Sequence, residues 1–287
     1  MRVGFIGLGD QGGPMAMAIH NAGFDVAVWA RRESVRREWR AGGVRVVDDA
    51  RTLAAGVDLL CLCVTDDAGV RALLIEQGLL AAMPRGGVVA VHSTILPDSC
   101  TELARTAERS GLVLLDMPVS GSGHAAAAGR LLVMAGGRRH AFDAIRPVIQ
   151  SHGGTIEFMG GIGTAMRAKL INNLLVVVHI GLAYRALMLG QSLDIGDGAL
   201  RRVLMAGTGR SFAIELIDRL QRPDKADHVR SLLEKDIGLA LDIVAREDRP
   251  IWQAQAEAGL DALEQLGADP PPFTFEEDTD HVDRCKE

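Results

Sequence analysis

The chain has 287 residues, 48% of them hydrophobic and 24% charged, with a formal net charge of −6 at pH 7. That apolar share excludes a disordered chain and suffices for one large or two ordinary domains. The acidic balance, without any Lys/Arg tract, gives no electrostatic ground for a nucleic-acid partner.

The chain opens from Met1 directly into an apolar run, with no charged leader or cleavage site, so no signal peptide is expected. The longest apolar stretch, 174–184, is short for a bilayer and contains His179. A soluble, cytoplasmic protein with no membrane partner is the expectation. Four cysteines, Cys61, Cys63, Cys100 and Cys285, complete no zinc site and read as reduced, buried thiols. The eight histidines show no metal-binding spacing, so no metal is expected.

Short apolar runs fall at 3–6, 26–29, 44–47, 59–64, 88–91 and 112–115. Between them, 12–22, 34–41, 67–77 and 98–110 carry helical spacing. That alternation predicts βαβ units and a doubly wound parallel sheet. Strand candidates at 131–135 and 155–158 flank a helical segment at 140–150 and extend the sheet. After the glycine-rich stretch 160–163 the texture changes: 164–191 reads as one long helix with Thr164 as its cap. The segments 198–204, 211–220, 228–246 and 250–266 are helical in pattern, with no strand among them. The expected fold is α/β: a Rossmann domain over 1–162 and an all-α domain over 163–287, joined by a long interdomain helix. Pro270, Pro271 and Pro272 stop the last helix, and the tail 276–287 is expected to be loose or to dock on a partner subunit.

Gly7-Leu8-Gly9-Asp10-Gln11-Gly12 fits G-x-G-x-x-G, directly after the first strand and opening the first helix. In that context Gly7 permits the tight turn, Gly9 admits a pyrophosphate and Gly12 lets helix and strand pack closely. The helix-start N–H groups hold the anion. An NAD site usually has an acid at the end of the second strand, to accept from the ribose 2′-hydroxyl. Here Trp29 is followed by Ala30, Arg31 and Arg32. Two guanidiniums suit a 2′-phosphate, so NADP(H) is expected ahead of NAD(H), with a plain solvated helix entry as the other reading of the pair.

Four separated motifs resemble those of the β-hydroxyacid dehydrogenases, the family of 3-hydroxyisobutyrate dehydrogenase and related semialdehyde reductases. They are the Gly7 loop continuing through Gly13-Pro14-Met15-Ala16; Asp116-Met117-Pro118-Val119-Ser120-Gly121; Gly161-Ile162-Gly163 followed by Lys169-Leu170-Ile171-Asn172-Asn173; and Lys235-Asp236-Ile237-Gly238. They span about residues 1–245 in the family's order. The resemblance implies that Lys169 passes the hydroxyl proton during hydride transfer, with Asn173 one helical turn later gripping the substrate. It implies that Ser120, Gly121 and Ser122 bind the carboxylate of a small 3-hydroxy acid or semialdehyde. Thr94 would face the nicotinamide, Val64 would line the cofactor, and Lys235 would close over it.

This chain departs from the pattern at Gln11, where a methionine is usual, and at Ser122, where many members have a second glycine. Two competing readings remain. An imine reductase of the same fold usually carries Asp or Tyr where Lys169 stands, and a silent scaffold lacks the lysine altogether. The long apolar helix leads to the expectation of a homodimer or a multiple of one.

Overall fold

The computed structural model describes residues 1–220 and 223–268. The proline stop, the acidic tail and Cys285 lie outside the described residues. The chain falls into two compact units, Met1–Leu170 and Ile171–Glu287. The expected boundary at 162/163 lies in the turn before a helix that runs from the first unit into the second.

The first unit contains β1 (Arg2–Ile6), α1 (Gly12–Asn21), β2 (Asp25–Trp29), α2 (Glu33–Ala41), β3 (Arg45–Val46), α3 (Ala50–Ala55) and β4 (Leu59–Leu62). There follow α4 (Asp67–Arg71), α5 (Leu79–Ala82), β5 (Val88–Val91), α6 (Pro97–Arg109), β6 (Val113–Asp116) and β7 (Val119–Ser120). α7 (Gly123–Ala127), β8 (Leu131–Gly136), α8 (Arg139–Ile149) and β9 (Gly153–Gly160) complete it, with the start of α9 (Thr164–Ser192). The sheet order is β3-β2-β1-β4-β5-β6-β8-β7, with β9 on β8. β1 to β6 are parallel, whereas β8 runs antiparallel to both β6 and β7. The order reverses between β1 and β4, so the crevice for a ligand lies at the carboxyl ends of those strands.

Alternation along each strand builds two cores. Val3, Phe5, Leu59, Cys61 and Ala90 pack on one side with Met15 and Ile19 of α1. Ile6, Leu60, Leu62, Val89 and Val91 pack on the other with Leu53 and Leu103. Strands buried on both faces read as unbroken apolar runs, as these do.

Local chemistry accounts for the departures from the expected elements. The segment 67–77 is not one helix: α4 passes into a π-helical turn at Ala72–Glu76, and Gly78 ends it at φ +70°. α3 was not expected; Asp49 starts it by accepting from the Thr52 N–H at 2.7 Å. Thr164 does not cap α9, because its hydroxyl donates to the Gly161 carbonyl at 2.6 Å. The capping group is Asp116, whose Oδ1 accepts from Gly163 N and Oδ2 from Met166 N, each at 2.9 Å.

Two histidines in this unit bear on stability. His92 and His152 are buried edge to face, ring centroids 5.8 Å apart, and His92 Nδ1 lies 2.8 Å from the Met117 carbonyl oxygen. Burial pushes the His92 imidazole down to about 4 and His152 down to about 3, the nearby His92 adding to the latter. Unfolded imidazoles titrate near 6.5. Both groups therefore favour the fold fully above pH 6.5, and that contribution is lost as pH falls towards 4. For His92 alone the loss amounts to about 3 kcal/mol. Denaturant melts between pH 7.5 and 5 should show a falling midpoint, flattened in a His92→Leu/His152→Leu variant. A flat wild-type profile would contradict the buried neutral pair.

The second unit is helical: the rest of α9, then α10 (Asp197–Ala206), α11 (Phe212–Leu220), α12 (Pro223–Ile243) and α13 (Arg249–Ala268). The backbones of α9 and α13 touch, since a Cβ on Gly259 would lie 2.1 Å from the Val177 carbonyl oxygen. By length and composition α9, taken whole, is long and apolar enough to cross a membrane, although the stretch 174–184 alone is short for one. Its buried side, Val177, Ile180, Ala183 and Leu187, is that of a core helix, while Ile171, Leu175, Leu182 and Leu189 are exposed.

Candidate active site

The turn after β1 is shaped by close backbone approaches. Gly7 sits at φ +99°, and a Cβ there would lie 2.2 Å from the Cys63 carbonyl oxygen. A Cβ on Gly12 would lie 1.9 Å from the Gly7 carbonyl oxygen. Neither position accepts a side chain. Gly9 differs: an added Cβ meets no chain atom within 4 Å. It borders a cleft of about 480 Å3 that Gly7, Leu8, Trp29, Arg31, Arg32 and Val64 also line. A glycine cradle open to a cleft at the start of a helix fits a dinucleotide pyrophosphate.

At the end of β2, Arg31 and Arg32 are exposed and border this cleft. Neighbouring charges are already matched. Arg36 pairs with Glu33 at 2.6 Å and donates to the Ala30 carbonyl, and the Asp48 carboxylate pairs with Arg40 at 2.7 Å. Trp29 donates its indole N–H to the Asp48 carbonyl at 3.2 Å. No carboxylate closes β2, so a 2′-phosphate would meet cations there.

Val64, just past β4, donates its N–H to the buried Ser93 hydroxyl at 2.8 Å, and Thr94 follows half-buried beyond β5. Ser120 ends β7, Gly121 sits at φ +132°, and Ser122 caps α7 by accepting from Ala125 N at 3.3 Å. Two of the expected carboxylate-binding residues thus also shape their own loop. Asp10 and Gln11 complete the phosphate loop; Gln11 is the N-cap of α1 without a side-chain capping bond. Its Nε2 instead donates to the Gly121 carbonyl at 2.9 Å.

Lys169 is half-buried in the second turn of α9, the helix that Asp116 caps. Asp116 is fully buried; burial pushes its carboxyl up, against the pull of the Gly163 and Met166 N–H groups. The first unit therefore carries the phosphate loop, Arg31, Arg32, Val64, Thr94, Ser120–Ser122 and Lys169. Asn173 and Lys235 belong to the second unit. There the buried Asn173 donates to Asp236 Oδ2 at 2.6 Å and accepts from Asn172 at 3.1 Å, while Asp236 Oδ1 pairs with Lys235 at 2.8 Å. Sequence reasoning missed Asp236 and Asp116 as organising groups, although each lies inside a quoted motif. It also missed the side-chain bond of Gln11. Among the described residues no cluster of three or more His, Cys, Asp or Glu is arranged for a metal.

Comparisons with known proteins agree with this arrangement. Residues 2–161 match the family model of the NAD binding domain of 6-phosphogluconate dehydrogenase. Residues 163–269 match that described as NAD-binding of NADP-dependent 3-hydroxyisobutyrate dehydrogenase. The chain is 30% identical over 261 residues to the human mitochondrial 3-hydroxyisobutyrate dehydrogenase, covering 87% of this chain and 77% of that one. It is 32% identical over 250 residues to an NAD-dependent L-serine dehydrogenase of Pseudomonas aeruginosa, covering 83% and 84%. The solved structure of Mycobacterium tuberculosis 3-hydroxyisobutyrate dehydrogenase with L-serine superposes with a TM-score of 0.80 at 27% identity, over 94% of this chain and 95% of that one. With its sheet order, its glycine cradle and matches along nearly its whole described length, the chain belongs to the β-hydroxyacid dehydrogenase family of nicotinamide-dependent oxidoreductases.

Proposed function

We propose that this protein is an NADP(H)-dependent dehydrogenase of small 3-hydroxy acids, with Lys169 as the proton-transfer residue. The observation that carries the reading is the glycine cradle opening on a cleft whose β2 end presents Arg31 and Arg32 and no carboxylate. The N–H groups at the start of α1 hold the pyrophosphate, and the two guanidiniums neutralise a 2′-phosphate. Ser120, with the N–H groups of Gly121 and Ser122, holds the substrate carboxylate. Lys169 hydrogen-bonds the reacting oxygen and takes its proton in oxidation or returns it in reduction. A bound nicotinamide would supply the hydride acceptor for the carbinol carbon, so that the hydroxy acid would leave as a carbonyl compound.

The dehydrogenases named above point to 3-hydroxyisobutyrate and L-serine, each a 3-hydroxy acid, as first candidates. Nicotinamide absorbance should be followed with both, and with the matching semialdehydes, using NADP(H) and NAD(H) in parallel. We expect kcat/KM about tenfold or more higher with NADP(H), the scale of a charge-assisted phosphate contact. Arg31→Ala with Arg32→Ala should close most of that gap. Equal or better turnover with NAD(H) would remove the cofactor assignment, and no turnover of any hydroxy acid would remove the substrate class.

A further inference from the structure

The phosphate loop and the carboxylate loop lie far apart in sequence yet touch at two neighbouring points. Gln11 Nε2 donates to the Gly121 carbonyl at 2.9 Å, across 110 residues. Two residues on, a Cβ at Gly123 would lie 2.2 Å from the Asp10 carbonyl oxygen and 3.5 Å from Pro14 Cγ, so the two backbones are in contact there. Gly121 is held at φ +132°, a conformation that L side chains rarely adopt.

Gln11 occupies the N-cap of α1, where a side chain ordinarily accepts from the helix's own N–H groups. It makes no such bond. That leaves the helix-start N–H groups for an anion and turns the side-chain amide towards the other loop. The methionine usual at this place in the family has no N–H to donate.

We propose that Gln11 is a positioning residue that ties the carboxylate-binding loop to the phosphate loop, so that cofactor binding orders the substrate's anchor. It touches neither reacting atom. It acts through the Gly121 carbonyl, setting where Ser120 and the N–H groups of Gly121 and Ser122 stand relative to the cofactor. The proposal rests on the dehydrogenase reading for its substrate arm only; the tie between the loops is independent of it.

The test compares the full-length wild type with Gln11→Met, which keeps length without a donor, and Gln11→Glu, which sets a carboxylate against the Gly121 carbonyl. Three quantities are read: KM for the hydroxy acid, Kd for NADP(H) from the change in tryptophan fluorescence, to which Trp29 at the cleft contributes, and amide hydrogen exchange over 119–125 with and without NADP(H). In Gln11→Met, KM should rise about fivefold, as one lost hydrogen bond dictates, and Kd for NADP(H) should rise by no more than a similar factor, because the coupling between cofactor and loop is reciprocal. Exchange over 119–125 should quicken, and the slowing caused by NADP(H) in the wild type should vanish. A residue with a merely structural role would move none of these selectively. If Gln11→Met does not fold, Gln11→Glu carries the same measurements. Unchanged exchange and KM in a folded variant overturn the proposal. If the wild type turns over no hydroxy acid, exchange alone decides: quickened exchange upholds the tie while the dehydrogenase reading falls, and unchanged exchange overturns the tie.

Discussion

Replacing Lys169 with alanine is expected to lower kcat about a thousandfold, the middle of the range for loss of a positioned acid–base group. Nicotinamide-cofactor binding should remain close to wild type, because the glycine cradle, Arg31 and Arg32 lie on β1–α1 and after β2, apart from α9 in the chain. Lys169→Arg should be nearly as inactive. A guanidinium keeps the charge and can still donate a hydrogen bond, but it does not release its proton. That variant separates proton transfer from simple attraction of an anion. Single-turnover measurements would place the loss in the chemical step rather than in binding or product release. Turnover of Lys169→Ala within tenfold of wild type would remove the proton-transfer role. Activity retained in Lys169→Arg alone would reduce Lys169 to an electrostatic contact.

Asp116→Ala should destabilise the protein by about 3 kcal/mol, since it leaves two buried backbone donors, Gly163 N and Met166 N, without acceptors. In the wild type the carboxylate is packed tightly against the chain at Gly136, where an added Cβ would lie 2.4 Å from Asp116 Oδ1. Asp116→Asn keeps one carbonyl oxygen but turns an NH2 group towards an N–H, so it should recover only part of the loss. The consequence extends to chemistry. Lys169 lies within the first two turns of the helix whose start Asp116 holds, so kcat should fall along with stability. Denaturant unfolding of both variants measures the first effect. A loss below 1 kcal/mol for Asp116→Ala would show that solvent or a rearranged turn satisfies those donors.

Much of this was legible beforehand because it is periodic or local. The apolar runs that became β1, β2, β4 and β5 were visible because strands buried on both faces tolerate no polar interruption. Glycines at 7 and 12 were readable because their requirement is steric and both fall within six consecutive residues, with Gly9 between them open to the cleft. What escaped was short or distant. α3 has only six residues, too few to display a helical period, and its one signal was the capping Asp49. β7, two residues long, was likewise invisible. The π-turn at Ala72–Glu76 keeps helical composition while changing the hydrogen-bond spacing, which no residue pattern betrays. The Asp116 cap spans 47 and 50 residues, and the Gln11 tie spans 110. Such contacts are set by the fold, so residue identity named the participants without naming their partners. Asn173 illustrates the same limit: its spacing from Lys169 was plain, but its bond to Asp236 lies 63 residues away.

The sulfur atoms in β4 and at its end carry a chemical consequence. Cys61 is fully enclosed, and Cys63, beside the cofactor cleft, is enclosed enough that burial pushes its thiol up to about 12; Cys61 is pushed higher still. A thiol held protonated in this way is a poor nucleophile, because the thiolate is the form that attacks peroxides, electrophiles or other thiols. Sulfur stands at the mouth of the cleft as an inert packing atom. An alkylating reagent that inactivates the protein is therefore expected to act at a residue other than Cys61 or Cys63.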